Sequence, residues 1–558
     1  MVFFKETIAH MNSGKKHLCM ILAILMAMIS AGIAAQEVPD TFTNPILPGF
    51  HPDPSICRVG EDYYLVNSSF EWYPGLPVYH SRDLVNWELI GYGMHRPMQV
   101  ELPVGLHNSG GVYAPTIRFH DGIFYIINTC VGCGGNFYIT ATDPAGPWSD
   151  PVWLPDAPGI DPHLFWDDDG RCYYVGNGRL MERQQWPSQQ GAWMQELDLE
   201  TGNLIGAKKQ LSYGHASNAV WGEGPHLYRI DGTYMLLLAE GGTDFNHSVT
   251  IHTSKSLWGP YIPIQANPVL THRHLGEDYP VWATGHADLV QTQKGEWWSV
   301  MLAKRRTGGF TLLGRETFLA KVDLEKHNGE LTPVYNKGEG RLLMEQARPD
   351  LPWTPVKPLP VRDEFDSELL DLHWNFLRTP YQQWWALRDG RLELWLRPEV
   401  ADSLVNPSLV ARRIEDHDFN ASLKLSFATR NEYEQAGLIL YRTSRNHFLL
   451  LKGKDSLVLS IVRDGHNQEI ARVPWKDSEV ILGLEARGVD VAFRYGPTED
   501  RMEQIGPVQS MALLSDEQAW GFNGPYVGMY ATSNGLGTRA LAAFDWFGYQ
   551  GLDRVPTP

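Results

Sequence analysis

Cysteine is scarce: five in 558 residues, and Cys19 falls in the N-terminal stretch discussed below. Cys57, Cys130, Cys133 and Cys172 remain, too few for a disulfide framework. Cys130 and Cys133 form a Cys-x-x-Cys with no second pair at zinc-ribbon spacing, so a structural zinc site is not expected. The pair can close as a disulfide in an oxidising compartment, while Cys57 and Cys172 sit in strand-like segments as buried thiols. Positive charge is also short. Forty-seven Lys and Arg stand against 65 Asp and Glu, a net charge of −18, which argues against nucleic acid and anionic membrane surfaces as partners. A neutral substrate is not repelled. Beyond residue 35 no run of 18 apolar residues occurs, so no membrane insertion is expected. The one apolar run, residues 18–29, follows Lys15, Lys16 and His17 and precedes the small residues SAGIAA. It has the make-up of a secretory signal, residues 1–35, with cleavage near Ala34 or Ala35 and an alternative start at Met11. The mature chain is therefore expected to be exported, to the periplasm or beyond.

Aromatic residues are plentiful: 20 Trp, 23 Tyr and 21 Phe. Many fall in five copies of one pattern, a strand-like run, a polar or Gly turn, then an aromatic strand. The copies are PDPSICRVGEDYYLV (52–66), APTIRFHDGIFYII (114–127), DPHLFWDDDGRCYYV (161–175), GPHLYRIDGTYMLL (224–237) and HADLVQTQKGEWWSV (286–300). Their anchor residues are Asp53, Ala114, Asp161, Gly224 and His286, spaced 61, 47, 63 and 62 residues apart. A long, regular period of β-hairpins predicts a radial repeat, a five-bladed β-propeller over residues 36–348.

In a propeller the first strand of each blade begins near one mouth of the central channel, so the anchors converge. Asp53, Asp161 and His286 are anchors; Tyr113 and Glu223 lie one residue before theirs. Three carboxyls meeting at an axis oppose stability through like charge and desolvation, which points to chemistry. The run Asp167–Asp169, by contrast, reads as a hairpin turn. Residues 349–360 carry five prolines and read as a stiff linker or extended strap. From 361 to 558 short alternating segments such as NASLKLSFAT, GLILYRT, HFLLLKG and SLVLSIVRDG predict an antiparallel β-sandwich. The fold class is all-β.

Several motifs, among them PGFHPDPSI, SSFEWYPGLPVYHSRDLVNW, DPHLFWDDDG, EGPHLYRIDG, GHADLVQT and LGRETF, resemble glycoside hydrolase family 43, the five-bladed β-xylosidases and α-L-arabinofuranosidases. EQAGLILYR and GFNGPYVGMY resemble the C-terminal, concanavalin-like jelly-roll sandwich of its xylosidase-type branch. The resemblance implies Asp53 as general base, Glu223 as general acid and Asp161 as the residue that orients the acid and tunes its pKa. It implies substrate contacts from Phe70, Tyr113, Arg315 and His286. It also allows a calcium ion near His286, with no cofactor required. The sandwich loop GFNGPYVGMY, with its aromatics Phe522 and Tyr526, is expected at the mouth, Tyr526 as a substrate contact. The expected reaction is inverting, exo-acting removal of terminal pentoses from oligosaccharides, β-D-xylose ahead of α-L-arabinofuranose. A propeller that binds sugar without cleaving it is the alternative, and it would predict loss of one of the three acids.

Overall fold

The computed structural model describes residues 38–276, 278–327 and 329–553. The segment expected to be a secretory signal, 1–35, lies outside them. No helix among the described residues is long and apolar enough to cross a membrane.

Five antiparallel sheets follow one another along the chain, each with its strands in sequence order. Blade one runs Ser55–Val59, Asp62–Val66, Gly75–Ser81 and Glu88–Met94. Blade two is built on Thr116–His120, Ile123–Val131, Gly135–Ala141 and Val152–Trp153; blade three on His163–Trp166, Cys172–Gly178, Gly191–Asp198 and Asn203–Gln210. Blade four comprises Glu223–Ile230, Thr233–Glu240, Ser248–Ser254 and Ile262–Pro263, and blade five Val281–Gln291, Trp297–Arg305, Glu316–His327 and Glu330–Tyr335. The repeated polar turn is the hairpin between the first two strands of each blade. In blades two and four it is Asp-Gly with both residues left-handed (Asp121 φ 47°, Gly122 φ 81°; Asp231 φ 49°, Gly232 φ 71°), the combination a two-residue turn needs to match the strand twist.

The chain joins Cys130 and Cys133 as a disulfide, and Cys57 and Cys172 are buried thiols. Residues 352–360 run on without helix or strand, and Thr354 N–H donates to Asp83 at 2.8 Å, in blade one. Beyond them two sheets pack as a sandwich. The six-stranded sheet is centred on Gln435–Thr443 and Asn446–Lys452; the other includes Phe419–Ser426, Glu479–Arg487 and Leu541–Gly551. Phe419–Ser426 alternates buried and half-buried positions along its whole length, the period-two pattern of a strand with one face in a core.

Propeller and sandwich share that core. One continuous apolar cluster holds Val66, Leu76 and Met94 of blade one, Ile126 and Phe137 of blade two, and Leu423, Leu438, Phe448 and Phe544 of the sandwich. A short strand, Phe376–Leu377, pairs with Trp72–Tyr73 of blade one. Arg413 donates to the Phe50 carbonyl, and Arg378 to that of Leu106.

Candidate active site

Four of the five anchors share one backbone state: Asp53, Asp161, Gly224 and His286 have φ between 52° and 55°. A left-handed backbone is uncommon for residues other than glycine, and such residues cluster at functional sites. Two positions beyond each anchor stands a polar residue. Those positions hold Ser55, Thr116, His163, His226 and Asp288, all buried. Three of them, Ser55, His226 and Asp288, joined by Arg118 from two residues further along blade two, form one polar plug, with His163 Nδ1 3.3 Å from His226 Nδ1. Arg118 donates to both Asp288 oxygens (2.9 and 3.0 Å), Ser55 Oγ and Tyr228 OH donate to Asp288 (2.7 and 2.5 Å), and Arg118 Nη2 lies 3.2 Å from His226 Nδ1. Burial alone would raise the Asp288 pKa, but Arg118 holds it well below the carboxylate range; burial takes His226 down to about 3.

The expected carboxyls sit above this plug. Asp53 accepts from Arg315 Nη1 at 2.6 Å and from the Ser68 hydroxyl, and His286 Nδ1 lies 3.9 Å from it. Asp161 Oδ2 accepts from Gly224 N–H at 3.1 Å. Burial, with the Asp53 charge adding to it, raises Asp161 to about 6 against the pull of His286 and Arg315. Glu223 is pushed well above its ordinary value, first by burial, then by the charges of Asp161 and Asp53. Like-charge repulsion is thus the second cause there, behind desolvation. One carboxyl is kept protonated while another is bonded to a guanidinium, the division an acid and a base require.

Three aromatic rings make a wall beside the carboxyls. The Phe70 and Tyr113 rings lie 5.1 Å apart; Phe522, from the sandwich, stacks on Phe70 at 5.9 Å and meets Tyr113 edge-on at 6.1 Å. The Arg315 guanidinium lies over both Phe70 and Phe522, and its Nη2 donates to the Phe522 carbonyl at 3.3 Å. Phe70 is almost wholly covered, Tyr113 is half-buried and Phe522 keeps 39% of its surface exposed.

Tyr526 departs from the expectation. Its ring is fully buried, stacked on Trp72 at 3.6 Å and set behind Phe50, so it offers no face to a substrate. It begins the strand Tyr526–Thr532, and the residue that reaches the mouth is Phe522, four positions earlier in the loop. Phe522 is placed by Asn523, whose Nδ2 donates to buried Glu71 at 2.6 Å, while Ser109 N–H donates to the other Glu71 oxygen at 3.0 Å. The plug residues stand at fixed offsets from the anchors, but their types differ from blade to blade, so the repeat does not mark them; Ser68 and Glu71 lie outside the repeated segments.

Calcium takes six to eight oxygen ligands; the carboxylate beside His286, that of Asp53, is bonded to the Arg315 guanidinium. Among the described residues no cluster of three or more His, Cys, Asp or Glu is arranged to hold a metal ion.

Residues 42–328 match the model of glycosyl hydrolases family 43, and residues 362–550 that of the β-xylosidase C-terminal concanavalin A-like domain. The chain is 41% identical to a xylosidase/arabinosidase of Butyrivibrio fibrisolvens, over 90% of this chain and 98% of that one. It is 38% identical to a non-reducing end α-L-arabinofuranosidase of Bacteroides ovatus, over 96% and 100% of the two chains. The crystal structure of a xylan β-1,4-xylosidase from Bacillus halodurans C-125 superimposes with a TM-score of 0.85 at 36% identity, covering 91% of this chain and all of that one.

Proposed function

The chain belongs to glycosyl hydrolase family 43 and is a glycoside hydrolase; from that premise we propose that it is an inverting enzyme cleaving single terminal pentoses, β-D-xylose first, from xylo-oligosaccharides or hemicellulose side chains. One observation carries the reading. The raised Glu223, the Arg315-bonded Asp53 and the intervening Asp161 face a wall that a loop of the second domain completes. A pocket closed on one side takes a chain end.

In the reaction, Asp53 accepts a proton from a water molecule whose oxygen attacks the anomeric carbon. The bond from that carbon to the glycosidic oxygen breaks, and Glu223 gives its proton to the departing oxygen. The two carboxyls exchange protonation states, and bulk water restores them. Direct attack by water inverts the anomeric centre. Asp161 holds the approach to Glu223 by accepting from Gly224 N–H, and its charge helps keep the acid protonated. Arg315 holds Asp53 and the Phe522 carbonyl in one geometry, with its remaining donors available to sugar hydroxyls. No cofactor enters these steps.

A second reading keeps the machinery and changes the sugar. α-L-Arabinofuranose is favoured by the Bacteroides ovatus relative and its 38% identity over nearly the whole chain. We further propose export of the mature chain. The basic-then-apolar N-terminus and the Cys130–Cys133 disulfide support it, since disulfides persist in oxidising compartments.

The test is a comparison of kcat/KM on aryl β-D-xyloside and aryl α-L-arabinofuranoside, with the first-formed anomer followed by NMR. The expected outcome is preference for the xyloside, initial release of α-xylose, and xylohexaose shortened one unit at a time. Retained configuration or early internal di- and trisaccharides would overturn the mechanism, and preference for the arabinofuranoside would select the second reading.

A further inference from the structure

Of the 20 tryptophans in the chain, two among the described residues keep more than a third of their surface exposed: Trp221 at 42% and Trp520 at 83%. The same two are the tryptophans with a left-handed backbone, φ 52° and 49°. A bulky residue is strained there, and a bare indole forgoes the burial that usually stabilises a tryptophan. The two disadvantages coincide twice. In both cases the tryptophan stands two residues before a pocket residue, Trp221 before Glu223 and Trp520 before Phe522. Two residues of chain reach at most about 7 Å, so the backbone of each tryptophan lies within that distance of a pocket residue.

Neither is a loose tip. Trp221 N–H donates to the Ser188 carbonyl at 3.0 Å, and the Val220 carbonyl accepts from Gly241 N–H at 2.9 Å. The indole lies over Gly242, where an added Cβ would come within 3.2 Å of Trp221 Cδ1. Trp520 ends the short helix Asp516–Ala519. Asp516 is bonded to Lys304 of the propeller and Arg442 of the sandwich (2.7 and 2.6 Å), and Glu517 accepts from Thr311 N–H at 3.0 Å. On the other side Phe522 N–H donates to Ser109 Oγ at 2.8 Å. The backbone is fixed on both sides of a ring left bare.

The reaction supplies the occupant. The pocket holds the terminal sugar, and the rest of the chain departs past Glu223, which protonates the oxygen between them. Trp221 is beside that acid, and Trp520 is beyond the rim residue Phe522. Flat indoles present a π-face of negative potential, suited to the C–H face of a pyranose ring. We propose that Trp221 and Trp520 form a platform on the leaving-group side that binds sugars beyond the scissile bond, so that the enzyme selects β-linked pyranose chains over short glycosides. The proposal rests on the exo-glycosidase reading and adds the substrate length.

The experiment measures kcat/KM on xylobiose and on xylohexaose for the wild type, Trp520→Ala, Trp520→Phe and Trp221→Ala. The hexaose-to-biose ratio is expected to fall about five- to tenfold in each alanine variant and to stay within twofold of wild type in Trp520→Phe. Titration of xylohexaose into Glu223→Gln, with and without Trp520→Ala, should show the same weakening without turnover. An unchanged ratio and unchanged binding in the alanine variants overturn the platform. So does a shift in oligomeric state of Trp520→Ala by light scattering with sugar binding intact, which would assign the indole to contact with a second copy of the chain. If the wild type hydrolyses neither aryl pentoside, the glycosidase reading fails, while the binding titration still decides the platform.

Discussion

At Gly224 the absence of a side chain explains an irregularity in the repeat. Blades one and three carry their acid at the anchor; blade four carries it one residue earlier, at Glu223. A Cβ at Gly224 would come 3.0–3.2 Å from the His286 ring, so the blade-five anchor has taken that space and glycine is what remains. A bulge between Glu223 and His226 in the pairing with the next strand re-aims the chain, as bulges do beside active sites. The same crowding makes Asp161 a trade between function and stability. Its folded pKa, about 6, stands above the ordinary 3.8. Protonated Asp161 therefore favours the fold below the unfolded value, and that contribution is lost as pH rises through the folded one. Asp161→Asn still offers an oxygen to Gly224 N–H and carries no charge. It is expected to raise Tm at pH 7 by about 2–4 °C, with the gain vanishing near pH 4. It also removes a charge that holds Glu223 protonated, so the alkaline limb of the kcat/KM profile should move down by about one pH unit. Thermal scans and pH–rate profiles check both; a variant less stable at pH 7 than at pH 4, relative to wild type, contradicts the assignment. The convergence of these residues was legible from the repeat because anchors of equal rank must meet at an axis. The pairing of Arg315 with Asp53, 262 positions apart, follows from the family resemblance only as a substrate contact, and its second role as counterion required coordinates.

The loop between the short helix Asp516–Ala519 and the strand Tyr526–Thr532 carries the largest departure from expectation. Its Gly and Pro residues announce a shaped turn, but which aromatic faces the mouth depends on where the strand begins, and local pattern does not fix that to within the four residues separating Phe522 from Tyr526. Once the strand starts at Tyr526, its ring enters the interface with Trp72, and Phe522 is left in the loop. Besides the bonds of Phe522 to Ser109 and Arg315, the loop is held by a buried carboxylate, Glu71. Burial raises the Glu71 pKa, with Arg378, Asn523 and the Ser109 amide opposing it. Asn523→Ala deletes the bond at 2.6 Å to Glu71 and leaves a buried group short of a partner, a loss of about 1–3 kcal/mol. Phe522 would then lose its register against Phe70. Since the wall touches the sugar in ground and transition state alike, KM is expected to rise about tenfold with kcat changed less than threefold, read from steady-state kinetics on aryl xyloside. A fall in kcat at constant KM would mean that the loop acts on the carboxyls instead.

The two domains are distinct in sequence and joined in the folded chain. A change of periodicity near residue 361 and a proline-rich stretch before it separate them by pattern. Their contacts are formed by residues hundreds of positions apart: Phe376–Leu377 with Trp72–Tyr73, Arg413 with the Phe50 carbonyl, Asp516 with Lys304. Such pairings leave no trace in a local period. A second apolar cluster joins Phe50, Phe70 and Trp72 of the propeller to Leu377, Tyr441 and Tyr526 of the sandwich, so the surface that braces the propeller also packs against Phe70 of the pocket wall. Unfolding either domain exposes that cluster, and this coupling predicts a single transition. Calorimetry on the mature chain should give a ratio of calorimetric to van't Hoff enthalpy near one, where independent domains would give two transitions. A chain ending at Pro349 keeps Asp53, Asp161, Glu223, His286 and Arg315. It loses Phe522, Asn523 and the cover over Trp72, so it is expected to retain less than about a hundredth of the wild-type kcat/KM even where it can be kept in solution. Two resolved transitions, or a soluble truncated propeller with undiminished activity, would show that the carboxyls suffice and the sandwich only adjoins them.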